Sequence, residues 1–68
     1  MDVTEQIGDA AGDIWRALEG IQEGITVTQL LERVQLPRNL FHQGLGWLAR
    51  EDKIQFSGTR NSPRVSLR

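Results

Sequence analysis

The sequence predicts a small, mostly α-helical domain in which three helices precede a β-hairpin. Two patterns carry this prediction: apolar residues recur at helical spacing in three segments, and residues 53–68 alternate polar and apolar side chains on either side of a turn. Length adds a constraint, because a chain of 68 residues buries only about 60% of its unfolded surface. One compact core is therefore expected, with residues 1–68 forming a single domain.

The first helix is predicted to run from near Thr4 to about Glu19. The apolar residues of this part of the chain are spaced so that they share one helix face: Ile7, Ala11, Ile14, Leu18 and Ile21. Either Thr4 or Asp2 can cap the N-terminus, where several acidic residues also suit the positive end of the helix dipole. Trp15 lies at the edge of the apolar face, so packing in the core is its expected role.

A very short strand at residues 25–27 and a short second helix are predicted next. Thr26 and Gln29 have the spacing of a capping box, in which each side chain bonds the other residue's backbone N–H. The following apolar residues recur at helical spacing: Val27, Leu30, Leu31 and Val34. The helix is predicted to end near Val34, before "QLP", because the residue preceding a proline is disfavoured in helical conformation.

The third helix is predicted to begin at or just after Pro37 and to run to about Glu51. A proline is tolerated in the first turn of a helix, and Leu36 and Phe41 are placed to pack together there. At about 100° per residue, the buried centre of this helix consists of three apolar residues: Phe41, Leu45 and Leu48.

The segments "KIQF" and "RVSL" are predicted to pair as a β-hairpin. Residues 57–63, which include Gly58 and Asn61, have the composition of a turn. The apolar residues of both strands are expected to face inward: Ile54, Phe56, Val65 and Leu67. The order helix, short strand, helix, turn, helix, hairpin describes a winged helix-turn-helix with a two- or three-stranded wing.

Two longer stretches carry a resemblance to known proteins. "LLERVQLPRNLFHQGLGWLAREDKI" is similar to the helix-turn-helix core of many prokaryotic winged-helix regulators. More narrowly, "IGDAAGDIW" and "GLGWLAREDKI" resemble a small prokaryotic family of stand-alone winged helix-turn-helix domains of unknown function. The resemblance covers nearly the whole chain, and it implies only that such domains bind DNA or proteins. This chain differs from the usual regulators in having Gln35 where glycine is common and few basic residues in the third helix.

Composition argues against several classes of protein. The chain has no cysteine and one histidine, so disulfides are excluded and neither a metal site nor a cofactor is expected. No nucleophile–base pair, carboxylate dyad or phosphate loop is evident, so an enzyme is not expected. No second domain offers an effector pocket, so no small-molecule ligand is expected. Nothing resembles a signal peptide or membrane span, so a cytoplasmic location is expected.

Charge is distributed unevenly along the chain. Residues 1–24 carry six acids and one arginine, whereas residues 25–68 carry seven basic residues and three acids, for a net charge of −1. Such a split is typical of a face that binds a polyanion, and it is equally compatible with an ordinary solvated surface.

The first candidate site is a polar stripe on the third helix, opposite its buried centre, formed by Asn39, Gln43, Gly46 and Arg50 with His42 alongside. Together with the hairpin it supplies the residues predicted to contact DNA: Arg38, Asn39, His42, Gln43, Arg50, Arg60 and Arg64. Asn and Gln can form hydrogen bonds with adenine, and Arg can do so with guanine or phosphate. An arginine of the wing can reach the DNA backbone. Gly46 would let the helix approach a groove wall closely. The alternative is that this stripe is polar only because it faces solvent.

A second apolar flank of the third helix must be covered by the wing, the first helix or another subunit. Beside Trp15, two glycines in the first helix would likewise admit a close neighbour. These residues form the predicted interface: Gly8, Gly12, Trp15, Leu40, Gly44 and Trp47. Two functions follow: a DNA-binding winged helix that acts as a homodimer and could regulate transcription, or a module for protein interaction without DNA binding.

Overall fold

The computed structural model describes residues 2–68, and within them the chain forms three helices and a three-stranded antiparallel sheet. The elements follow in the order α1 (Val3–Glu19), β1 (Ile25–Thr26), α2 (Val27–Val34), α3 (Arg38–Arg50), β2 (Ile54–Gly58) and β3 (Pro63–Leu67). Strand β3 lies between β1 and β2, so β2 forms an edge of the sheet. The predicted winged helix-turn-helix architecture is confirmed, with the wing three-stranded.

Side-chain caps define where two of the helices begin. Asp2 caps α1, because its carboxylate accepts a hydrogen bond from the backbone N–H of Glu5 at 2.8 Å. The predicted capping box at the start of α2 is present: Thr26 Oγ1 accepts from the Gln29 N–H at 3.1 Å, and Gln29 Oε1 accepts from the Thr26 N–H at 3.3 Å. Caps of this kind are worth about 1 kcal/mol each, so local sequence chemistry sets these boundaries.

One apolar core joins the three helices to the sheet. It consists of Ala11, Ile14, Leu18, Ile25, Leu30, Phe41, Leu45, Leu48, Ile54 and Val65. Phe41 is 0% exposed, which confirms the predicted phase of α3. Val65, in the central strand, pairs with Ile25 on one side and Phe56 on the other. No helix within residues 2–68 is long and apolar enough to cross a membrane.

Two aromatic side chains predicted to be buried are not. The alternation in the hairpin predicts that Phe56 faces the core, but it is 50% exposed. In β2, only Ile54, at the end of the strand next to α3, is buried, because α1 and α2 lie against β3 more than against this edge strand. Trp15 is predicted to pack in the core and is 37% exposed. The buried face of α1 is formed by other residues, among them Ile14 and Leu18, and Trp15 lies to one side of it.

The turn between α2 and α3 contains a strained residue. Gln35 follows α2 with φ 56° and ψ 37°, the left-handed conformation. An L-residue other than glycine costs about 1–2 kcal/mol in this region. This conformation explains why glycine is common at the corresponding position in similar regulators.

Candidate functional site

The outer face of α3 is exposed and carries no acidic residue. All the residues predicted to contact DNA from this helix are exposed: Arg38, Asn39, His42, Gln43 and Arg50. Within residues 2–68, none of these side chains makes a hydrogen bond or an ion pair. Their donors and acceptors are therefore available to a ligand that approaches this face.

The two glycines of α3 have different surroundings. A Cβ atom at Gly46 would meet nothing within 4 Å, so the outer face is bare at its middle. A Cβ atom at Gly44 would lie 3.0 Å from the backbone N of Ala11 and 3.1 Å from Cδ1 of Ile14. Gly44 is thus the point at which α1 crosses α3 closely. The wing, the first helix and another subunit are the candidates to cover this flank. At Gly44 it is the first helix, α1, so Gly44 is not accessible to a second copy.

The crossing at Gly44 separates the other two residues of the predicted apolar flank. Trp47 lies on one side of α1, in a groove that it shares with Trp15, Gly8 and Gly12. Leu40 lies on the other side, in a groove that includes Val3. The predicted interface residues therefore do not form one surface. Four of them come together, one is apart, and Gly44 is buried between the helices.

The first of these grooves, here called the tryptophan groove, runs between α1 and the C-terminal half of α3. It is lined by Gly8, Gly12, Trp15, Trp47 and Leu67. Trp15 is 37% exposed and Trp47 is 41% exposed, so each indole rests partly on the protein and partly in solvent. Leu67 of β3 reaches the groove, but more than a third of each indole stays exposed.

The second groove places acidic residues of α1 beside the polar stripe. Asp9 and Asp13 line it together with Asn39, Gln43 and Leu40. A phosphate would be repelled from this flank of α3. Sequence reasoning missed these neighbours: the spacing of the two acids puts them on one side of α1, but only the crossing at Gly44 shows which side of α3 they border.

The wing offers fewer free cations than its composition suggests. Arg64 is half-buried in β3, and its guanidinium donates a hydrogen bond to the carbonyl oxygen of Gly24 at 3.2 Å. Lys53 is 3.8 Å from a carboxylate oxygen of Glu51. Arg68 likewise pairs with an acid, in this case Asp52. Arg60, at the tip of the hairpin, is exposed and has no hydrogen bond or ion pair within residues 2–68.

Comparison with known proteins gives a consistent result for the family. The winged helix-turn-helix domain family DUF2582 matches residues 1–67. An uncharacterized protein of Methanocaldococcus jannaschii, MJ1608, is 37% identical over 54 residues, which are 78% of this chain and 77% of that protein. The solution NMR structure of protein BT2368 from Bacteroides thetaiotaomicron is similar, with a TM-score of 0.78 and 28% sequence identity over 93% of this chain and 76% of that one.

Proposed function

This chain belongs to the winged helix-turn-helix family DUF2582, and on that basis we propose that it binds double-stranded DNA as a homodimer. The observation that carries the proposal is the outer face of α3, which is exposed, free of acids and, within residues 2–68, unpaired along its length. In helix-turn-helix proteins this face enters the major groove. Regulation of transcription is the process that such binding would serve.

The contacts follow from the chemistry of the stripe. Asn39 and Gln43 carry the amides that bond adenine in a bidentate manner, and Arg50 can bond guanine or a phosphate. Arg38 at the start of α3 and Arg60 at the wing tip are suited to phosphates. Because Asp9 and Asp13 border α3 on the α1 side, the DNA backbone would run along the opposite flank.

The small number of unpaired arginines on the DNA-binding face favours two subunits over one. Three arginines that are unpaired within residues 2–68 could act together on this face: Arg38, Arg50 and Arg60. If each neutralises one phosphate, the logarithm of the affinity falls with the logarithm of salt with a slope of about −3 per subunit. That dependence indicates weak binding by a monomer. A two-fold dimer doubles the contacts and sets two α3 helices at one spacing, as paired half-sites require.

One observation favours a second candidate, a protein-interaction module. Trp15 and Trp47 are exposed together in the tryptophan groove, away from the polar stripe of α3. Exposed aromatic side chains of this size are enriched at the centres of protein interfaces. The two candidates differ in the surface used, so they predict different responses to the same variants.

Anisotropy of a fluorescently labelled, mixed-sequence duplex, titrated with protein at low and moderate salt, tests the proposal. Replacement of both α3 arginines, Arg38→Gln with Arg50→Gln, is expected to weaken binding and to reduce the salt slope by about 1 for each phosphate that the variant no longer neutralises. Arg33→Gln, compared with Arg38→Gln and Arg50→Gln made singly, is the control for the loss of one charge, because Arg33 is an exposed arginine on α2 that lies beside Ile21 and Gly24. A parent protein that does not bind at low salt would favour the interaction module.

A further inference from the structure

From the shape of the tryptophan groove we infer its occupant: a second copy of this chain, with the two α1 helices packed antiparallel about a two-fold axis. The inference rests on the homodimer of the proposed function and names its interface. In this arrangement Trp15 of each copy lies on the bare surface of α1 at Gly8 of the other.

The groove contains both a protrusion and a recess. Gly8, Gly12 and Trp15 are separated by four and three positions, so they share one face of α1. A Cβ atom at Gly8 would meet nothing within 4 Å, and this surface is open to solvent. Trp15, a large indole that is 37% exposed, stands beside it.

A closed two-fold interface requires one patch to be complementary to itself. If two antiparallel α1 helices meet with the axis between Ala11 and Gly12, Trp15 lies at the same height as Gly8 of the partner subunit. The symmetric contact forms at the other end. Gly8 leaves room for the partner's indole, whereas at Gly12 the end of the flexible Arg16 side chain, 3.4 Å from where a Cβ would lie, has to turn aside for the helices to approach closely. Trp47 lines the same groove and enters the same interface.

Charges around the groove agree with this occupant. Each basic residue on its rim is already paired within the chain: Arg16 with Asp13, Lys53 with Glu51 and Arg68 with Asp52. Among the other lining residues, Glu19 is the one further charge. A rim of this kind offers a polyanion no free cation, so DNA is a poor fit. A second copy meets a nearly neutral rim and a matching apolar surface.

The tryptophans themselves report on the groove. Trp15 and Trp47 are the two tryptophans of the chain, which has no tyrosine, so tryptophan emission arises from the groove alone. We expect the emission maximum to move to shorter wavelength as protein concentration rises, in step with a mass by sedimentation equilibrium that increases from 7.7 kDa toward twice that value. A mass that stays at 7.7 kDa at all concentrations overturns the inference.

A matched pair of variants locates the interface. Gly8→Leu fills the recess, and Gly46→Leu makes the same change at an equally bare glycine on the outer face of α3. Both replace an exposed glycine with a better helix former, so both are expected to fold. Gly8→Leu should raise the dimer dissociation constant by about 30-fold or more, the effect of removing a central residue of an interface, and Gly46→Leu should leave it unchanged.

Dimerisation through the groove and DNA binding through α3 can be refuted independently. Dimerisation by Gly8→Leu with the parent's affinity overturns the groove as the interface, whatever the DNA titration shows. A parent that dimerises through the groove but does not bind the duplex overturns the proposed function and leaves the inference standing. A parent that binds the duplex as a monomer supports DNA binding and overturns both this inference and the homodimer of the proposed function.

Discussion

Alanine at Gly44 and alanine at Gly46 are expected to change stability in opposite directions, although both sites lie within α3. At Gly46 the new Cβ would meet nothing within 4 Å. The substitution there removes only the helix penalty of glycine, so it should stabilise the protein by about 1 kcal/mol. At Gly44 the same gain in helix propensity is opposed by contacts at 3.0 Å with the backbone N of Ala11 and 3.2 Å with the backbone C of Ala10.

The atoms that a Cβ at Gly44 would meet determine the size of this opposing effect. Backbone atoms of a helix cannot turn aside as a flexible side chain can. Helix α1 would therefore have to move, and it carries the buried residues Ile14 and Leu18. Overpacking of a core costs about 1–3 kcal/mol, so Gly44→Ala should be destabilising by up to about 2 kcal/mol after the gain in helix propensity. Because both variants share the gain in helix propensity, they should differ by the overpacking cost alone, about 1–3 kcal/mol.

Thermal and urea unfolding followed by circular dichroism measure this difference. For a domain of this size each kcal/mol moves Tm by about 4–8 °C, so the two variants should melt about 4–24 °C apart, with the parent between them. All three proteins must be compared at one concentration, because self-association would add to apparent stability. Equal stabilisation by both alanines would show that α1 does not cross α3 at Gly44, and the division of this surface into two grooves would lose its basis.

Three further predictions concern the core, the turn and the wing. Phe41→Ala removes a fully buried ring and should cost about 3–5 kcal/mol; a cooperative melt near that of the parent would contradict its central position. Gln35→Gly relieves a left-handed φ of 56° and should raise stability by up to about 1 kcal/mol in urea unfolding; a loss of stability would mean that this residue is not strained. Arg64→Ala should cost about 1 kcal/mol, since it removes the hydrogen bond to Gly24, whereas Arg60→Ala should leave unfolding unchanged and weaken only DNA binding. Equal unfolding curves for these two variants would show that the bond to Gly24 contributes nothing.

Local chemistry accounts for the parts of the fold that the sequence predicts well. Helix α2 begins at its capping box and ends before "QLP", so its predicted limits agree with the structure. The phase of α3 follows from the spacing of its apolar residues, and Phe41 is buried accordingly. Each of these signals lies within one element or at its ends, where a few neighbouring residues decide the conformation.

Burial at the margins of the domain depends on which distant element covers a residue. Phe56 alternates correctly with Ile54, yet α1 and α2 lie against the central strand β3 more than against the edge strand β2. Trp15 has the size of a core residue, but α1 turns a different face to the core. An alternation or a helical period gives the direction of a side chain, and it does not give the extent of the surface opposite.

The candidate site also combines features that follow from local sequence with features that depend on distant residues. The exposure of the polar stripe follows from the phase of α3 and could be predicted. The bond between Arg64 and the carbonyl of Gly24 joins residues 40 positions apart, and no local pattern indicates it. The separation of Leu40 from Trp47 is also non-local, because it depends on where α1 crosses α3.

The most direct test of DNA binding by the outer face of α3 is an NMR titration. Isotope-labelled protein is titrated with an unlabelled, mixed-sequence duplex at low salt, and the backbone amide shifts are followed residue by residue. DNA binding through α3 predicts changes concentrated in residues 38–50 and at the hairpin tip, residues 59–62, that diminish as salt is raised. Amides that do not respond at low salt, or shifts confined to the tryptophan groove around Gly8 and Gly12, would contradict it.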